Sequence, residues 1–175
     1  MDPRKSIATL TFNLSIVIEC HTKTFNGWPS TRWELTTILS DPDGPSSLEG
    51  PHVIRSSDRL SQYMWKGLEL RLHLDAAEGY WYNFLSEIPY AFVIFEMDAV
   101  DEDTVPVPIY VTASQDEAGA HLETDYLVLS TALPTDVRDK IEDYIISNYV
   151  PQTKKKRKRK NWFEEANQPR PKPNT

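Results

Sequence analysis

The sequence predicts an α+β fold that is mainly β: an antiparallel sheet, curled or closed into a small barrel, with a C-terminal amphipathic helix and a disordered basic tail. Residues 9–19 and 68–75 alternate apolar and polar side chains at period two, which is typical of strands with one face on a core. Residues 90–97 form a nearly continuous apolar run, which indicates a strand covered on both faces. After Pro134, apolar residues recur at three- and four-residue spacing, the pattern of an amphipathic helix.

Charge divides the chain into two parts. Residues 152–175 contain nine Lys or Arg and two acidic residues, a balance of +7, whereas residues 1–151 have a balance of −14. We therefore predict an acidic globular domain over residues 1–151 and a flexible basic tail over residues 152–175. The acidic domain should repel nucleic acid and anionic membranes, so only the tail could attract them.

Composition also restricts the class of protein. Aromatic residues make up 11% of the chain, enough for a substantial core. Cys20 is the only cysteine, which excludes an intrachain disulfide and a zinc or iron–sulfur centre held by several cysteines of this chain. The sequence contains no run of eighteen apolar residues and no secretory signal pattern, so we expect a cytoplasmic protein without a membrane span.

The remaining elements follow from periodicity and from turn residues. The predicted strands span residues 9–19, 32–40, 59–66, 68–74, 90–97, 108–113 and 126–131. Residues 21–30 are expected to form a loop with a tight turn at Asn26-Gly27, and residues 46–57 to be irregular. Lys66-Gly67 is expected to be the turn of a hairpin.

Three helices are predicted. Residues 76–86 form a helix that Gly79 weakens and Pro89 ends. Ser114 and Glu117 have the spacing of a capping box, with each side chain bonding the other's backbone, and this box opens a helix over residues 115–122. The last helix opens at residues 134–136 and ends near Tyr149.

No established catalytic motif occurs in the sequence. A divalent-metal site is one interpretation of two small groups of residues, which comprise His73, Asp75 and Glu78, and Asp116, Glu117 and His121. Their spacing matches no known ligand pattern, and helix capping and solvated strand positions account for the same residues more simply. Cys20 cannot use the adjacent His21 as a base, because neighbouring strand residues point to opposite faces. We therefore predict no enzyme activity, no metal and no cofactor.

Two features point to binding. An aromatic group of seven residues comprises Tyr80, Trp81, Tyr82, Phe84, Tyr90, Phe92 and Phe95. Core filling explains most of it, and Trp81 and Tyr82 are predicted to line a partner-binding groove. The tail carries a run of seven cations, Lys154, Lys155, Lys156, Arg157, Lys158, Arg159 and Lys160. This run could bind nucleic acid, an anionic membrane or an acidic protein surface, or have no specific partner.

Three blocks of the sequence resemble a bacterial family known as domain of unknown function 3305, over roughly residues 15–160. The blocks are Arg32-Trp33-Glu34 with Ile38-Leu39; Leu72-His73 with Glu78, Tyr80, Asn83-Phe84-Leu85 and Pro89; and Val111 to Ser114 with Glu117-Ala118, Leu133-Pro134 and the basic run. The chain departs from the pattern in its acidic loop over residues 98–103 and in its tail beyond Asn161. The resemblance implies no catalytic residues.

Members of that family are often encoded near formate dehydrogenase genes, so the resemblance implies a role in the maturation of that molybdoenzyme. The resulting hypothesis is a non-enzymatic accessory or assembly protein that binds a protein partner, such as a formate dehydrogenase subunit or an assembly factor. The alternative is a nucleic-acid-associated protein that binds through the Lys/Arg-rich tail.

Overall fold

The computed structural model describes residues 9–97 and 104–151 of the chain. Seven strands and three α-helices occur in these residues, together with a 3₁₀ turn at Leu74–Ala76. The strands are β1 (Leu10–Phe25), β2 (Trp28–Ser40), β3 (Glu49–Ser56), β4 (Leu60–Leu72), β5 (Tyr90–Glu96), β6 (Val107–Thr112) and β7 (Leu127–Ala132). The helices are α1 (Ala77–Phe84), α2 (Gln115–Leu122) and α3 (Thr135–Asn148). The predicted basic tail lies outside the described residues.

The strands form one sheet that curls into a nearly closed barrel. Its order is β2-β1-β4-β6-β5-β7, with β3 attached to β4 beside β6, and the end strands β2 and β7 approach each other. The mainly β prediction is confirmed, but the sheet predicted to be antiparallel is mixed, because β4 and β6 pair in parallel at Leu70 and Val111. After β4 the chain passes through α1 and enters β5, which lies two places from β4 in the sheet. Strand β6 then occupies the place between β4 and β5 and runs parallel to β4.

The first two strands form one long hairpin. The predicted loop over residues 21–30 was wrong, because β1 continues to Phe25 and pairs with β2 from Trp28 onward. Asn26 has φ 50° and Gly27 has φ 82°, so both central turn residues are left-handed. That geometry is the two-residue hairpin turn whose twist matches the flanking strands, and an Asn-Gly pair favours it.

Two further expectations about residues 46–74 were wrong. Residues 46–57, which were expected to be irregular, contain β3. All eight residues of β3 are exposed, so no alternation of apolar and polar residues marks this strand in the sequence. Gly67 lies inside the continuous strand β4 at φ 76°, where the β4–β1 register shifts by one residue. It forms a bulge, and a Cβ there would collide with the backbone of Ser47.

The core lies between the curled sheet and the helices. Alternate residues Leu14, Ile16 and Ile18 of β1 are fully buried, as period two predicts. In β5 the consecutive residues Val93, Ile94 and Phe95 are all buried, which confirms a strand covered on both faces. The buried side of α3 consists of Val137, Ile141, Tyr144 and Ile145.

Helix α1 packs closely on the start of α2 through a glycine. A Cβ placed on Gly79 would overlap Ser114 Oγ and lie 3.1 Å from Ser114 Cβ. Ser114 is itself buried. Gly79 therefore lowers the helix propensity of α1 and permits the contact between α1 and α2.

We expect Gly79→Ala to lower the free energy of unfolding, although alanine is the better helix former by about 1 kcal/mol. The added methyl group must displace Ser114, whose side chain caps α2. The matched control is Gly119→Ala in α2, where a Cβ meets no atom within 4 Å. That change should raise stability by roughly 0.5–1 kcal/mol in the same urea titration. Equal stabilisation by both changes would contradict close packing at Gly79.

Candidate partner-binding surface

The predicted aromatic group divides between the core and the surface. Tyr80 and Phe95 are fully buried, so core filling is confirmed for these two residues. Tyr80 Oη accepts a hydrogen bond from the backbone N–H of His73 at 3.1 Å, and burial raises the pKa of its hydroxyl far above the ordinary value. Tyr82 and Tyr90 are exposed.

Trp81 joins α1 to the end of α3. Its ring centroid lies 5.0 Å from that of Tyr82 and 5.6 Å from that of Tyr149, both in tilted arrangements. Trp81 is half-buried and packs against the hydrophobic core. The Trp81 indole is therefore the partly buried member of this aromatic contact, and the Tyr82 ring is its exposed member.

Apolar residues at the end of α1, in the turn after it and just after α3 are exposed, apart from Tyr149, which is half-buried. We call this set the α1–α3 surface, and it comprises Tyr82, Leu85, Ile88, Tyr149 and Val150. Leu85 is 62% exposed, Ile88 54% and Val150 81%. Neighbouring apolar side chains with such exposure are typical of a contact site, whereas single ones scattered over a surface are not. Sequence reasoning found Tyr82 but missed Leu85, Ile88 and Val150.

In the sequence, the basic run follows this surface after a few residues. Pro151 is the last described residue, and Lys154 follows three residues later. The cations Lys154–Lys160 themselves lie outside the described residues.

The residues considered as metal ligands have other partners or remain apart. Glu117 Oε2 accepts hydrogen bonds from Thr112 Oγ1 at 2.5 Å and Tyr110 Oη at 3.2 Å. The His121 ring lies between two tyrosines, 6.1 Å from Tyr110 and 5.8 Å from Tyr126 by ring centroids. Across residues 9–97 and 104–151, no three His, Cys, Asp or Glu side chains converge as a metal site.

The cap of α2 is only half of the predicted box. Ser114 Oγ accepts from the backbone N–H of Glu117 at 3.3 Å, which confirms the N-cap. The Glu117 carboxylate does not return the bond, because it is engaged by Thr112 and Tyr110, and Thr112 Oγ1 accepts from the Ser114 N–H at 2.9 Å instead. Burial and the nearby Glu117 charge raise the pKa of Tyr110, so its hydroxyl keeps the proton that it donates.

Cys20 and His21 point to opposite faces of β1, as expected for adjacent strand residues. His21 Nε2 lies 3.1 Å from Glu19 Oε2, and the side-chain amide of Gln62 donates to Glu19 Oε1 at 2.5 Å. Cys20 is half-buried and pairs across the strands with Trp33. The imidazole of His21 is therefore directed toward a carboxylate and away from the thiol that it would have to activate as a base.

A separate cleft of about 790 Å³ opens where β6 diverges from β4. Leu48, Arg71, Ile109 and Tyr110 are among its lining residues. The Arg71 guanidinium is paired with the carboxylate of Glu69, which also lines the cleft. The charges of this ion pair therefore compensate each other, and the cleft is not the groove predicted around Trp81 and Tyr82.

One buried amide holds the helices beside the α1–α3 surface. Asn83 Nδ2 donates to the carbonyls of Tyr90 at 2.7 Å and Ala113 at 2.8 Å, and Asn83 Oδ1 accepts from the Tyr90 N–H at 3.1 Å. Asn83 is buried, so these bonds satisfy backbone groups that water reaches poorly. The amide therefore ties α1 to the start of β5 and to the residue that precedes the α2 cap.

A family model described as a protein of unknown function, DUF3305, matches residues 13–159. The chain belongs to the DUF3305 family. No curated protein and no solved structure matches it. The family description names no activity, partner or cofactor for this DUF3305 protein. None of the helices in its described residues has the length and apolar run that crossing a membrane requires.

In this DUF3305 protein, Asn83→Ala should leave two carbonyls and one N–H unpaired at a buried site, at about 1–3 kcal/mol for each group. We expect a correspondingly lower midpoint in urea. Asn83→Asp keeps the shape but places a carboxylate against the two carbonyl oxygens. Its folded-state pKa should therefore exceed the unfolded value of about 3.9, so the variant gains stability relative to wild type as the pH falls.

The control is Ser86→Ala, which removes bonds from a partly exposed hydroxyl to the carbonyls of Asn83 and Ile88. It should cost less than either change at Asn83. An Asn83→Asp variant whose deficit relative to wild type does not change with pH would contradict the role given to the amide.

Proposed function

We propose that this DUF3305 protein is a cytoplasmic, non-enzymatic accessory or assembly protein that binds a protein partner. The α1–α3 surface and the cations 154–160 are two parts of one contact. The partner that the family resemblance suggests is a formate dehydrogenase subunit or another assembly factor, which would place the protein in the maturation of that molybdoenzyme.

The observation that carries the proposal is that exposed apolar side chains continue to Val150, four residues before the basic run begins in the sequence. Val150 is 81% exposed, and Lys154 follows it four residues later. A partner that fits both parts presents an apolar depression bordered by acidic side chains. Such a partner would bury the Leu85 and Ile88 side chains and neutralise the tail.

The two parts of the contact should make different contributions. Complete burial of a Leu, Ile or Val side chain is worth roughly 1.5–3 kcal/mol, so the exposed apolar residues are the larger source of binding free energy. Charges at the border of an interface act chiefly on the encounter rate. Affinity should therefore depend mainly on the α1–α3 surface, and the rate of association mainly on the tail.

The acidic domain argues against nucleic acid as the principal partner. Residues 1–151 have a net charge of −14, which repels phosphate, so the tail would have to bind nucleic acid alone. Such binding would come from counterion release, fall steeply with salt and depend little on base sequence.

We predict that Leu85→Lys weakens binding to the partner mainly by faster dissociation, because a cation replaces an anchor. Deletion of residues 153–175 should slow association more than it speeds dissociation, with a melting temperature close to that of the full chain. Leu122→Lys, a change of the same kind at an exposed leucine of α2, should leave both rates unchanged. The measurement is surface plasmon resonance with purified formate dehydrogenase subunits and their assembly factors across a salt series.

The same salt series with generic RNA distinguishes the alternative. Tight RNA binding at physiological salt, lost with the tail, together with no affinity of the acidic domain for any of these proteins, would overturn the proposal. Equal effects of Leu85→Lys and Leu122→Lys would show that the α1–α3 surface is not the contact.

A further inference from the structure

The β1–β2 hairpin extends beyond the rest of the sheet. Strand β4 begins at Leu60, which lies opposite His21 in β1. Beyond this position, β1 and β2 pair only with each other among the described strands, up to the last pair, Phe25 and Trp28. The four residues 22–25 span about 13 Å in an extended strand, so the turn of the hairpin protrudes well past the start of β4.

One face of this hairpin carries cations and an aromatic ring. Directly opposite residues of an antiparallel pair share a face, and so do alternate residues along a strand. The register pairs His21 with Arg32 and Lys23 with Ser30. Trp28 therefore lies on the same face, two residues from Ser30 toward the turn. We call this the hairpin face, and it comprises His21, Lys23, Trp28, Ser30 and Arg32.

The hairpin face is open to a ligand. A cleft of about 300 Å³ lies on it, and its lining residues are His21, Lys23, Ser30, Arg32 and Glu34. Lys23 and Arg32 are exposed, and neither forms an ion pair within the part of the chain that the structure describes. Trp28 is 78% exposed. Two uncompensated cations and a hydroxyl group beside one cleft suit a phosphate, and the exposed indole lies next to them.

The charges on this face are ordered along the strands. His21 Nε2 lies 3.1 Å from Glu19 Oε2 and 3.8 Å from Glu34 Oε2, so the carboxylates lie at the end of the face nearer the barrel. Residues 20–33 contain two cations and no acidic residue, whereas the acidic domain as a whole has a net charge of −14. Salt screens charges over about 8 Å at physiological ionic strength, which is less than the length by which the hairpin protrudes. The local potential at the tip is therefore positive.

We propose that the hairpin face is a peripheral membrane-contact site for anionic phospholipids. The headgroup phosphate lies in the cleft between Lys23 and Arg32, where the Ser30 hydroxyl donates a hydrogen bond to it. The Trp28 ring lies in the interfacial region of the bilayer, which suits an indole because it combines an apolar body with one N–H donor. This contact does not include the α1–α3 surface, so the proposal is independent of the protein partner proposed above.

The shape of the hairpin favours a membrane over nucleic acid or a protein. A two-stranded ribbon can enter the major groove of DNA, which is about 8.5 Å deep. Insertion to that depth would bring the acidic domain inside the screening length of the phosphates, whereas a bilayer is contacted by the tip alone. A stable protein interface buries about 800 Å² on each side. Among the described side chains of residues 22–32, Trp28 is the only large apolar one, which is too little for such an interface.

Flotation of the full-length protein with phospholipid vesicles tests the proposal. We expect stronger binding to mixed phosphatidylglycerol and phosphatidylcholine vesicles than to phosphatidylcholine alone. Lys23→Gln should weaken the binding about fivefold, since one cation near an anionic surface contributes roughly that factor. Trp28→Ala should weaken it as well, because the interfacial ring is lost. The matched controls are Lys140→Gln on the exposed side of α3 and Leu122→Ala on α2, and both should bind like the wild type.

All of these variants keep residues 152–175, so any attraction by the basic tail is common to them. Lipids with brominated acyl chains supply a second measurement, because they quench an indole that lies at the membrane interface. Quenching of tryptophan fluorescence should be larger for the wild type than for Trp28→Phe, which keeps an aromatic ring at the tip.

Four outcomes would each overturn the proposal. The first is a wild type with no preference for anionic vesicles, and the second is an equal loss of binding in the hairpin variants and their controls. The third is identical quenching of the wild type and Trp28→Phe. The fourth is single-stranded RNA binding that Lys23→Gln and Trp28→Ala weaken more than they weaken vesicle binding, which would assign the hairpin face to nucleic acid.

Discussion

The contact between Asn83 and the backbone of β5 and β6 is the constraint on which the helical side of the molecule depends. The side-chain amide bonds Tyr90 at the start of β5 and Ala113 after β6, so it sets where α1 lies on the sheet. Four residues earlier, Gly79 allows α1 to approach the Ser114 cap of α2. Residues of α1 thus position both α1 and α2, and through Trp81 they also position the end of α3.

The parts of the fold with one or both faces buried could be predicted from the sequence. Alternation in β1 and the apolar run of β5 reflect burial, so the pattern and the structure have one cause. Strand β3 and the far end of the β1–β2 hairpin could not be recognised in this way. These segments lie at the edge of the sheet or beyond β4, where few side chains are buried. Their backbone pairing is therefore not accompanied by a period-two pattern of apolar residues in the sequence.

The residues of the candidate surface, likewise, could be predicted only where a local sequence pattern marks them. Tyr82 was found because aromatic residues cluster around it, whereas Leu85, Ile88 and Val150 have no periodic pattern that marks them as exposed. The partners of Asn83 are backbone groups seven and thirty residues away, which no local motif encodes. Only tertiary structure brings such groups together. The capping box was half right, because Thr112 and Tyr110 compete for the carboxylate of Glu117.

The single parallel contact between β4 and β6 has a consequence for the order of assembly. Strands β1 to β4 form one antiparallel unit from residues 10–72, and β5 to β7 with the helices form another from residues 77–148. Among residues 9–97 and 104–151, the strand register between the units pairs Leu70 with Val111 alone, so side-chain packing in the core must join them. The chain is therefore organised as two consecutive halves that can each form local pairings before docking, and fragments separated between β4 and α1 are the natural pair for complementation.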